Sequence, residues 1–321
     1  MFDFYPAYEE HFAQVQLSLF MLGMGATLSL GDFAKVLRRP RSLSVALAGQ
    51  IILSPLIALV VIYLFGLAGG IALGLILTAA MPGGATAKAF VFLARGSGPL
   101  AISLTVASTL AAIVTVPLTL QICARDYVPA NFEMPMLRIV RDVACFVLGP
   151  LAVGMYLGSR NPTNRKVISR WFIRVGFVVV AAMIICALGS QRIKPGERGL
   201  IVPIAIIVFA VLCMQFNMLP FRVLGWPRAD TVSAGIEITM RNMNLALLLK
   251  ASLFPDRGPA EVAAIGAEVM FVVLFYAGAA FFLGLPLSLN FRRLARRDER
   301  RGLPTAGTEM GDRQSSGSSK R

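Results

Sequence analysis

The sequence has few charged side chains for its length. Charged residues occupy 15% of its 321 positions and hydrophobic residues 56%, whereas a soluble domain carries about 25% charged residues. Since a surface this poor in charge does not stay dispersed in water, the composition excludes a soluble globular protein. It predicts an all-α polytopic membrane protein, in which each helix satisfies its own backbone hydrogen bonds.

Histidine is almost absent, and the cysteines are not clustered. His11 is the single histidine, and no CxxC pair occurs among Cys123, Cys145, Cys186 and Cys213. The spacing of a metal-binding cluster is therefore missing, and we predict no catalytic cofactor. An intramembrane enzyme is also disfavoured, because it would need a nucleophile–base pair or a metal cluster at membrane depth.

The net charge of +14 does not indicate nucleic-acid binding, because the basic residues lie where a membrane would place them. They are concentrated after the first, fifth, seventh and last apolar stretches, as the positive-inside rule expects for cytoplasmic loops. The main ones are Lys35, Arg38, Arg39, Arg41, Arg160, Arg165, Lys166, Arg170, Arg222, Arg228 and the six arginines in 292–301. We therefore expect a protein of the plasma membrane, or of the inner membrane in a Gram-negative host, with the N-terminus outside and the C-terminus cytoplasmic. The basic loop 192–198 fits this orientation least well.

About 20 apolar residues are needed to cross a bilayer, and windows of that length predict nine transmembrane helices. They run over residues 11–31, 43–66, 70–94, 99–123, 136–158, 169–189, 199–221, 230–254 and 263–289. Residues 1–291 then form one transmembrane domain. Residues 292–321 are predicted to be a disordered cytoplasmic tail, because they contain almost no apolar side chains, with their basic first part on anionic membrane lipid.

Two of the apolar stretches contain residues that are costly in hydrocarbon. Glu237 and Arg241 lie near the middle of 231–254, and 70–94 is interrupted by Pro82-Gly83-Gly84, with Lys88 just beyond. Charges at membrane depth usually face a cavity or each other and mark a transport pathway. A helix broken by proline and glycine near the midplane points to the substrate or ion site of a transporter. These residues therefore predict a carrier.

Distinctive strings surround both features. One stretch contains Met81-Pro82-Gly83-Gly84-Ala85-Thr86-Ala87-Lys88 and Phe92-Leu93-Ala94-Arg95-Gly96, the next contains Ser108-Thr109, and the later one contains Gly235-Ile236-Glu237-Ile238-Thr239-Met240-Arg241-Asn242. With Gln50 ahead of Pro55, these strings resemble the bile acid:sodium symporter family in their order and separation. The resemblance covers about residues 12–290.

The resemblance implies a fold of two inverted repeats, divided into a panel domain and a core domain. The core would contain the third and eighth helices, both unwound where they cross at the midplane. It also implies a secondary active transporter that carries a small organic anion by alternating access, usually driven by sodium. The sequence names neither the solute nor any protein partner.

The resemblance further implies two sodium ions at the crossing, held by side-chain oxygens, backbone carbonyls and the glutamate of the eighth helix. Glu237, Gln50 and Thr105 match such ligand positions. Other ligand positions have changed, because Lys88 and Arg241 stand where the family has an asparagine and a glutamine. Neither an ammonium nor a guanidinium has a lone pair to offer a metal ion.

We hypothesise that Lys88 and Arg241 stand in for the two sodium ions. Three coupling mechanisms then remain open: a sodium-independent carrier, a proton-coupled carrier in which a buried lysine releases its proton, and a carrier that keeps a modified sodium site. The resemblance places Asn242 at the substrate cavity. We also expect substrate contacts from Thr86, Asn244 and the loosened backbone at Gly83 and Gly84.

Simpler interpretations of the same residues stay open. Glu237 and Arg241 are spaced i, i+4, so they would pair with each other on one helix face. Lys88 would reach the membrane surface by extending its side chain. The Pro82 segment would be only a kink in its helix. Two other functions also stay open. One is an arsenite-type metalloid exporter, disfavoured because the four cysteines are predicted to lie away from the crossing. The other is a sensor that no longer transports.

Further charged residues lie near the ends of predicted helices. Arg138, Arg141 and Asp142 crowd the start of the fifth helix, and we expect them to be interfacial or self-paired. Lys250, near the end of the eighth helix, is also predicted to be interfacial. For Glu268 in the ninth helix two interpretations stay open: a proton-handling site, or one partner of an ion pair.

Overall fold

The computed structural model describes residues 5–29, 31, 40–84, 86–128, 132, 134–189, 199–255 and 259–300, and this part of the chain is composed almost entirely of helices. In chain order they are α1 (Tyr5–Thr27), α2 (Pro40–Phe65), α3 (Gly69–Ala80), α4 (Ala87–Leu93), α5 (Gly98–Cys123), α6 (136–160), α7 (Arg165–Gly189), α8 (Ile201–Val223), α9 (Arg228–Thr239), α10 (Met243–Leu253) and α11 (Ala260–Arg300).

Several of these helices are long and apolar enough to cross a bilayer. By length and composition they are α2, α5, α8 and the part Ala260–Arg296 of α11, while α3 and α10 are shorter apolar helices. Large hydrophobic side chains on their surfaces are exposed, Tyr63 and Phe282 among them, which is the arrangement required against lipid rather than water. The protein is therefore a multi-pass membrane protein, and the total of nine spans stays a prediction.

The predicted spans 70–94 and 230–254 are each divided into two helices. The first is divided between Ala80 and Ala87, where Pro82 lacks an N–H and two glycines favour other conformations. The second is divided between Thr239 and Met243, in a segment without proline or glycine. Local sequence therefore explains the first break, whereas the second depends on contacts with the rest of the fold.

Helices α1 and α6 approach so closely that glycine is required between them. A Cβ atom on Gly154 would lie 2.3 Å from the carbonyl oxygen of Leu22, and one on Gly158 would lie 2.2 Å from that of Ala26. Small residues four apart allow such close packing inside a membrane. α1 also packs against α7, while α3 packs against α11 and α8 against α9.

The last helix continues past the predicted domain boundary. α11 ends at Arg300, so residues 292–300, the first part of the predicted tail, are helical. Residues 301–321 lie outside the described part of the chain, as do the basic loops 32–39 and 190–198. The predicted orientation in the membrane, which rests largely on those loops, stays a prediction.

The contact between α1 and α6 gives a stability prediction. Gly154→Ala should lower the melting temperature of the detergent-purified protein, because its Cβ pushes against a helix backbone, and overpacking of this kind costs about 1–3 kcal/mol. Gly278→Ala in α11 is the matched control, since a Cβ there meets no atom within 4 Å and alanine favours the helix. A Gly154→Ala protein that melts as high as the parent would contradict the close approach.

Candidate functional site

The two helix breaks lie against each other as a pair of short antiparallel segments. The N–H of Gly84 donates to the Met240 carbonyl at 2.8 Å, and the N–H of Asn242 donates to the Pro82 carbonyl at 2.8 Å. Gly83 and Arg241 form the bridge between them. The two breaks therefore satisfy some of each other's backbone hydrogen-bonding groups. Such pairing within the protein is required in hydrocarbon, where no water is available as a partner.

Glycine is needed at this crossing because the two backbones nearly touch. A Cβ atom on Gly84 would lie 2.7 Å from the Arg241 carbonyl oxygen, and one on Gly83 would lie 2.8 Å from Oε2 of Glu237. Real Cβ atoms do not approach that closely. Gly84 is therefore required for the two backbones to meet, whereas at Gly83 the close atom is the end of the Glu237 side chain, which could shift.

Arg241 occupies the carbonyl end of α3. Its Nη1 donates to the carbonyl oxygens of Ala79 at 2.6 Å and of Met81 at 3.2 Å, and the residue is 4% exposed. The last carbonyls of a helix have no partner within the helix and form the negative end of its dipole. A guanidinium is well suited to this position, because it supplies several N–H donors and a positive charge. The Nε2 of Gln50 donates to the same Met81 carbonyl at 3.3 Å.

Other side chains satisfy the remaining helix ends at the crossing. The Tyr276 hydroxyl donates to the carbonyl of Thr239 at 2.9 Å, at the end of α9. Asn242 caps the start of α10, and its side-chain oxygen accepts the N–H of Leu245 at 3.2 Å. The crossing is thus held by the protein's own donors and acceptors on both sides.

Glu237 lies beside this arrangement and is fully buried. Its Oε2 is 2.9 Å from the hydroxyl of Thr105, and the Lys88 ammonium interacts favourably with the carboxylate through its charge. Among the described residues, Oε1 of Glu237 has no hydrogen-bond partner. Ser108, one turn beyond Thr105 on α5, accepts the N–H of Gly83 at 3.3 Å. Glu237 therefore has one satisfied oxygen and a nearby cation.

The structure separates two residues that sequence spacing had paired. Glu237 and Arg241 do not occupy consecutive turns of one helix, because α9 ends at Thr239. The Arg241 side chain instead contacts carbonyls of α3, whereas Glu237 contacts α5. The i, i+4 pair does not form between these two described residues. Lys88 is half-buried in α4, and its interaction with Glu237 argues against extension to the membrane surface.

The predicted substrate residues fall into two groups. Asn242, Gly83 and Gly84 are buried at the crossing, where their polar groups take part in the bonds just described. Asn244 accepts a short hydrogen bond from Nε2 of Gln16 in α1. Thr86 is exposed beside α4, a helix of only seven residues, and makes no capping bond with its side chain.

One expectation about the cysteines is wrong. Cys213 does not lie away from the crossing, because its buried Sγ is 3.9 Å from Nη2 of Arg241. Helix periodicity alone did not indicate which face of α8 meets the break. Gln16 and Tyr276 were also missed, since a single polar side chain in an apolar helix gives no sign of its partner.

The chain is similar to a known protein family over more than half of its length. Residues 14–194, more than half of the chain, match the Sodium Bile acid symporter family. The chain belongs to this family. The matched region includes Gln50, Lys88 and Thr105, whereas Glu237 and Arg241 lie beyond it.

Individual relatives are similar over most of the chain. The "Uncharacterized sodium-dependent transporter YocS" of Bacillus subtilis is 26% identical over 74% of this chain and 73% of its own length. The "Probable sodium/metabolite cotransporter BASS1, chloroplastic" of Arabidopsis thaliana is 29% identical over 75% of this chain. The "Sodium-dependent organic anion transporter" of Bos taurus is 24% identical over 87% of this chain and 73% of its own length. The alignment spans 59% of the Arabidopsis protein, less than two thirds of its length.

Family membership decides the broad function. The matched family and the relatives' names describe sodium-dependent transporters. The chain is therefore a membrane transporter and not an enzyme.

The position of Arg241 gives a second stability prediction. Arg241→Met should lower the melting temperature of the detergent-purified protein, because the carbonyl of Ala79 loses this donor and that of Met81 keeps only Gln50. Each unsatisfied buried group costs about 1–3 kcal/mol. Arg222→Met is the matched control, since Arg222 is exposed and its described contact is a weak one to the sulfur of Met218. Equal melting temperatures for the two variants would rule out the capping role.

Proposed function

We propose that the protein is a secondary transporter of a small organic anion in which Lys88 and Arg241 replace bound sodium. The observation that carries the proposal is the contact of the Arg241 guanidinium with the carbonyls of Ala79 and Met81. Backbone carbonyls at an exposed helix end are suitable ligands for a hard cation. In this chain a fixed cation already occupies them.

The donor set at the crossing does not fit a sodium ion. The Gln50 amide donates toward Met81 rather than presenting its oxygen there, and Arg241 contacts the same carbonyl. A sodium ion about 4 Å from a fixed positive charge is repelled by about 4 kcal/mol at an effective dielectric constant of 20. Lys88 and Arg241 place two fixed positive charges at the crossing, and the single carboxylate of Glu237 offsets only one of them. We therefore favour sodium-independent transport over the proton-coupled and modified-sodium mechanisms.

The charges at the crossing favour an anionic substrate. Lys88 and Arg241 contribute two positive charges and Glu237 one negative charge, which leaves a local excess of one positive charge. The relative in Bos taurus is named an organic anion transporter, which is the same class of solute. We propose that Lys88, Thr86 and the amides of Asn242 and Asn244 meet the anion, while Gly83 and Gly84 keep the two breaks in contact.

We further propose the inverted-repeat arrangement of nine spans, with the N-terminus outside the cell. α1, α6 and α7, which pack together, would form the panel, and the helices around the crossing would form the core. Transport would move the panel against the core. The basic residues after α11 would then lie on cytoplasmic lipid.

The replacement of sodium is testable without a known substrate. The melting temperature of the purified protein should be the same in sodium chloride and in choline chloride at equal ionic strength. The Lys88→Asn, Arg241→Gln double variant should melt lower in choline and recover in sodium, because a vacated site would bind the ion. Ligand at about 100 times its dissociation constant stabilises a fold by about 2.7 kcal/mol.

The same experiment has an outcome that overturns the replacement. A sodium-induced rise in the unmodified protein that Glu237→Ala abolishes would mean that a sodium site persists. Glu261→Ala, at an exposed position in the first turn of α11, controls for nonspecific effects of losing one carboxylate.

The preference for anions is tested by ligand-induced melting shifts. Organic carboxylates and sulfate esters should raise the melting temperature, whereas their neutral methyl esters or alcohols should not. Lys88→Gln should weaken the binding of the effective anions by about tenfold, since one charge contact in a partly screened site contributes about 1–2 kcal/mol to binding. Accumulation of the same anions in proteoliposomes would then separate a carrier from a sensor. Equal shifts with charged and neutral analogues would contradict the assignment.

A metalloid exporter remains the second candidate, because Cys213 supplies a buried thiol beside Arg241. The soft As(III) centre of arsenite prefers sulfur as a ligand. An arsenite-induced melting shift that Cys213→Ser removes would favour this function over the organic anion.

A further inference from the structure

Helices α1 and α10 meet along a seam with polar contacts at two levels. Glu9 of α1 contacts Lys250 of α10, and Gln16 of α1 contacts Asn244 of α10. The residue numbers rise along α1 as they fall along α10, so the helices run antiparallel. Asn244 is two residues from Asn242, and the seam therefore leads from one end of the bundle to the crossing.

The Glu9–Lys250 contact is a buried ion pair. Nζ of Lys250 lies 2.9 Å from both Oε1 and Oε2 of Glu9, and the two residues are 0% and 5% exposed. Both side chains are enclosed by protein, although each lies near an end of its helix, and the predicted interfacial depth of Lys250 stays a prediction. A buried ion pair adds little stability compared with apolar packing of the same size, and the best-attested reason to keep one is to specify or switch an arrangement.

The α1 face of the seam is closed to solvent between its two polar levels. Glu9, Ala13 and Gln16 are spaced by four and three residues and lie on one face of α1. Ala13 and Gln16 are fully buried. The closed stretch from Glu9 to Gln16 is therefore about 10 Å long, at 1.5 Å of rise per residue, and closes this route to the crossing.

Neighbouring charges tie α6 to the same end of α10. Asp142 is fully buried and accepts hydrogen bonds from Ser252 at 2.6 Å and from Arg141 at 3.0 Å. Arg138 pairs with Glu10 at 2.9 Å, but this pair is partly exposed. The two helices that carry these charges, α1 and α6, also pack on each other. A movement of α1 and α6 together would break the contacts with α10.

We propose that the Glu9–Lys250 pair is a gate, whose closed form blocks access to the crossing from the membrane face at which α1 begins. Opening the seam admits water to both charges, which compensates for the lost pairing, whereas an apolar contact would gain nothing from opening. The pair is thus compatible with two discrete states. This inference rests on the alternating access proposed above.

The gate is tested by the reactivity of a cysteine placed within the seam. Gln16→Cys is introduced into protein whose four native cysteines are serine, reconstituted in lipid nanodiscs so that both faces are in solution. Its rate of reaction with a water-soluble methanethiosulfonate reagent reports opening. Glu9→Gln should raise this rate by about tenfold, the change expected when the closed state loses about 1.4 kcal/mol.

Two further variants make the result specific. Glu10→Gln breaks the partly exposed pair with Arg138 and should change the rate by less than about twofold, since such pairs contribute little. The exchange Glu9→Lys, Lys250→Glu should return the rate toward that of the parent. An unchanged rate in folded Glu9→Gln protein, with or without a lower melting temperature, would reduce the pair to a structural role and overturn the gate.

If the Glu9→Gln variant does not fold, the inference is still testable with a second variant. Glu9→Asp keeps the charge but shortens the side chain. The cysteine at position 16 must react faster with the reagent in the Glu9→Asp variant than in the Glu10→Asp variant. The measurement uses neither sodium nor substrate. Its failure therefore leaves the proposed transport function intact, and failure of the sodium experiments leaves the gate intact.

Discussion

Every backbone polar group within hydrocarbon needs a partner inside the protein, and the guanidinium of Arg241 meets that requirement at the most demanding point of this fold. α3 ends inside the bundle with its last carbonyls uncovered, and Arg241 donates to those of Ala79 and Met81. The remaining ends are closed by Tyr276, by Asn242 and by the bonds between the two breaks. These contacts give the two broken helices partners for backbone groups that each break leaves free.

The same contact connects structure to transport chemistry. A cation that belongs to the chain cannot dissociate during a cycle, so it stabilises the crossing without supplying energy from an ion gradient. Glu237, which keeps an oxygen without a partner among the described residues, balances only one of the two nearby fixed charges. Under the proposed replacement of sodium, the site favours an anion and disfavours a second cation. Assembly of the crossing and coupling to an ion would then be separate properties.

Helix α10 links the crossing to the far end of the bundle. It begins at the break, next to Asn242, and within 11 residues reaches Lys250 and its ion pair with Glu9. In the proposed transport cycle, α10 connects a change at the crossing to the seam with α1. Buried charges thus lie close to both ends of one helix, with Arg241 just before its start and Lys250 near its end.

Sequence alone determined the membrane class, the break at Pro82-Gly83-Gly84 and the family resemblance, because composition and local backbone preference decide these. It also selected Glu237, Lys88 and Arg241 as unusual charges. Their partners were decided by tertiary structure: the break at 240–242 contains no proline or glycine, and Arg241 contacts carbonyls about 160 residues earlier in the chain. The buried positions of Cys213 and Lys250 were likewise unpredictable. Helical spacing assigns a side chain to a face, but only the packed bundle determines what that face meets.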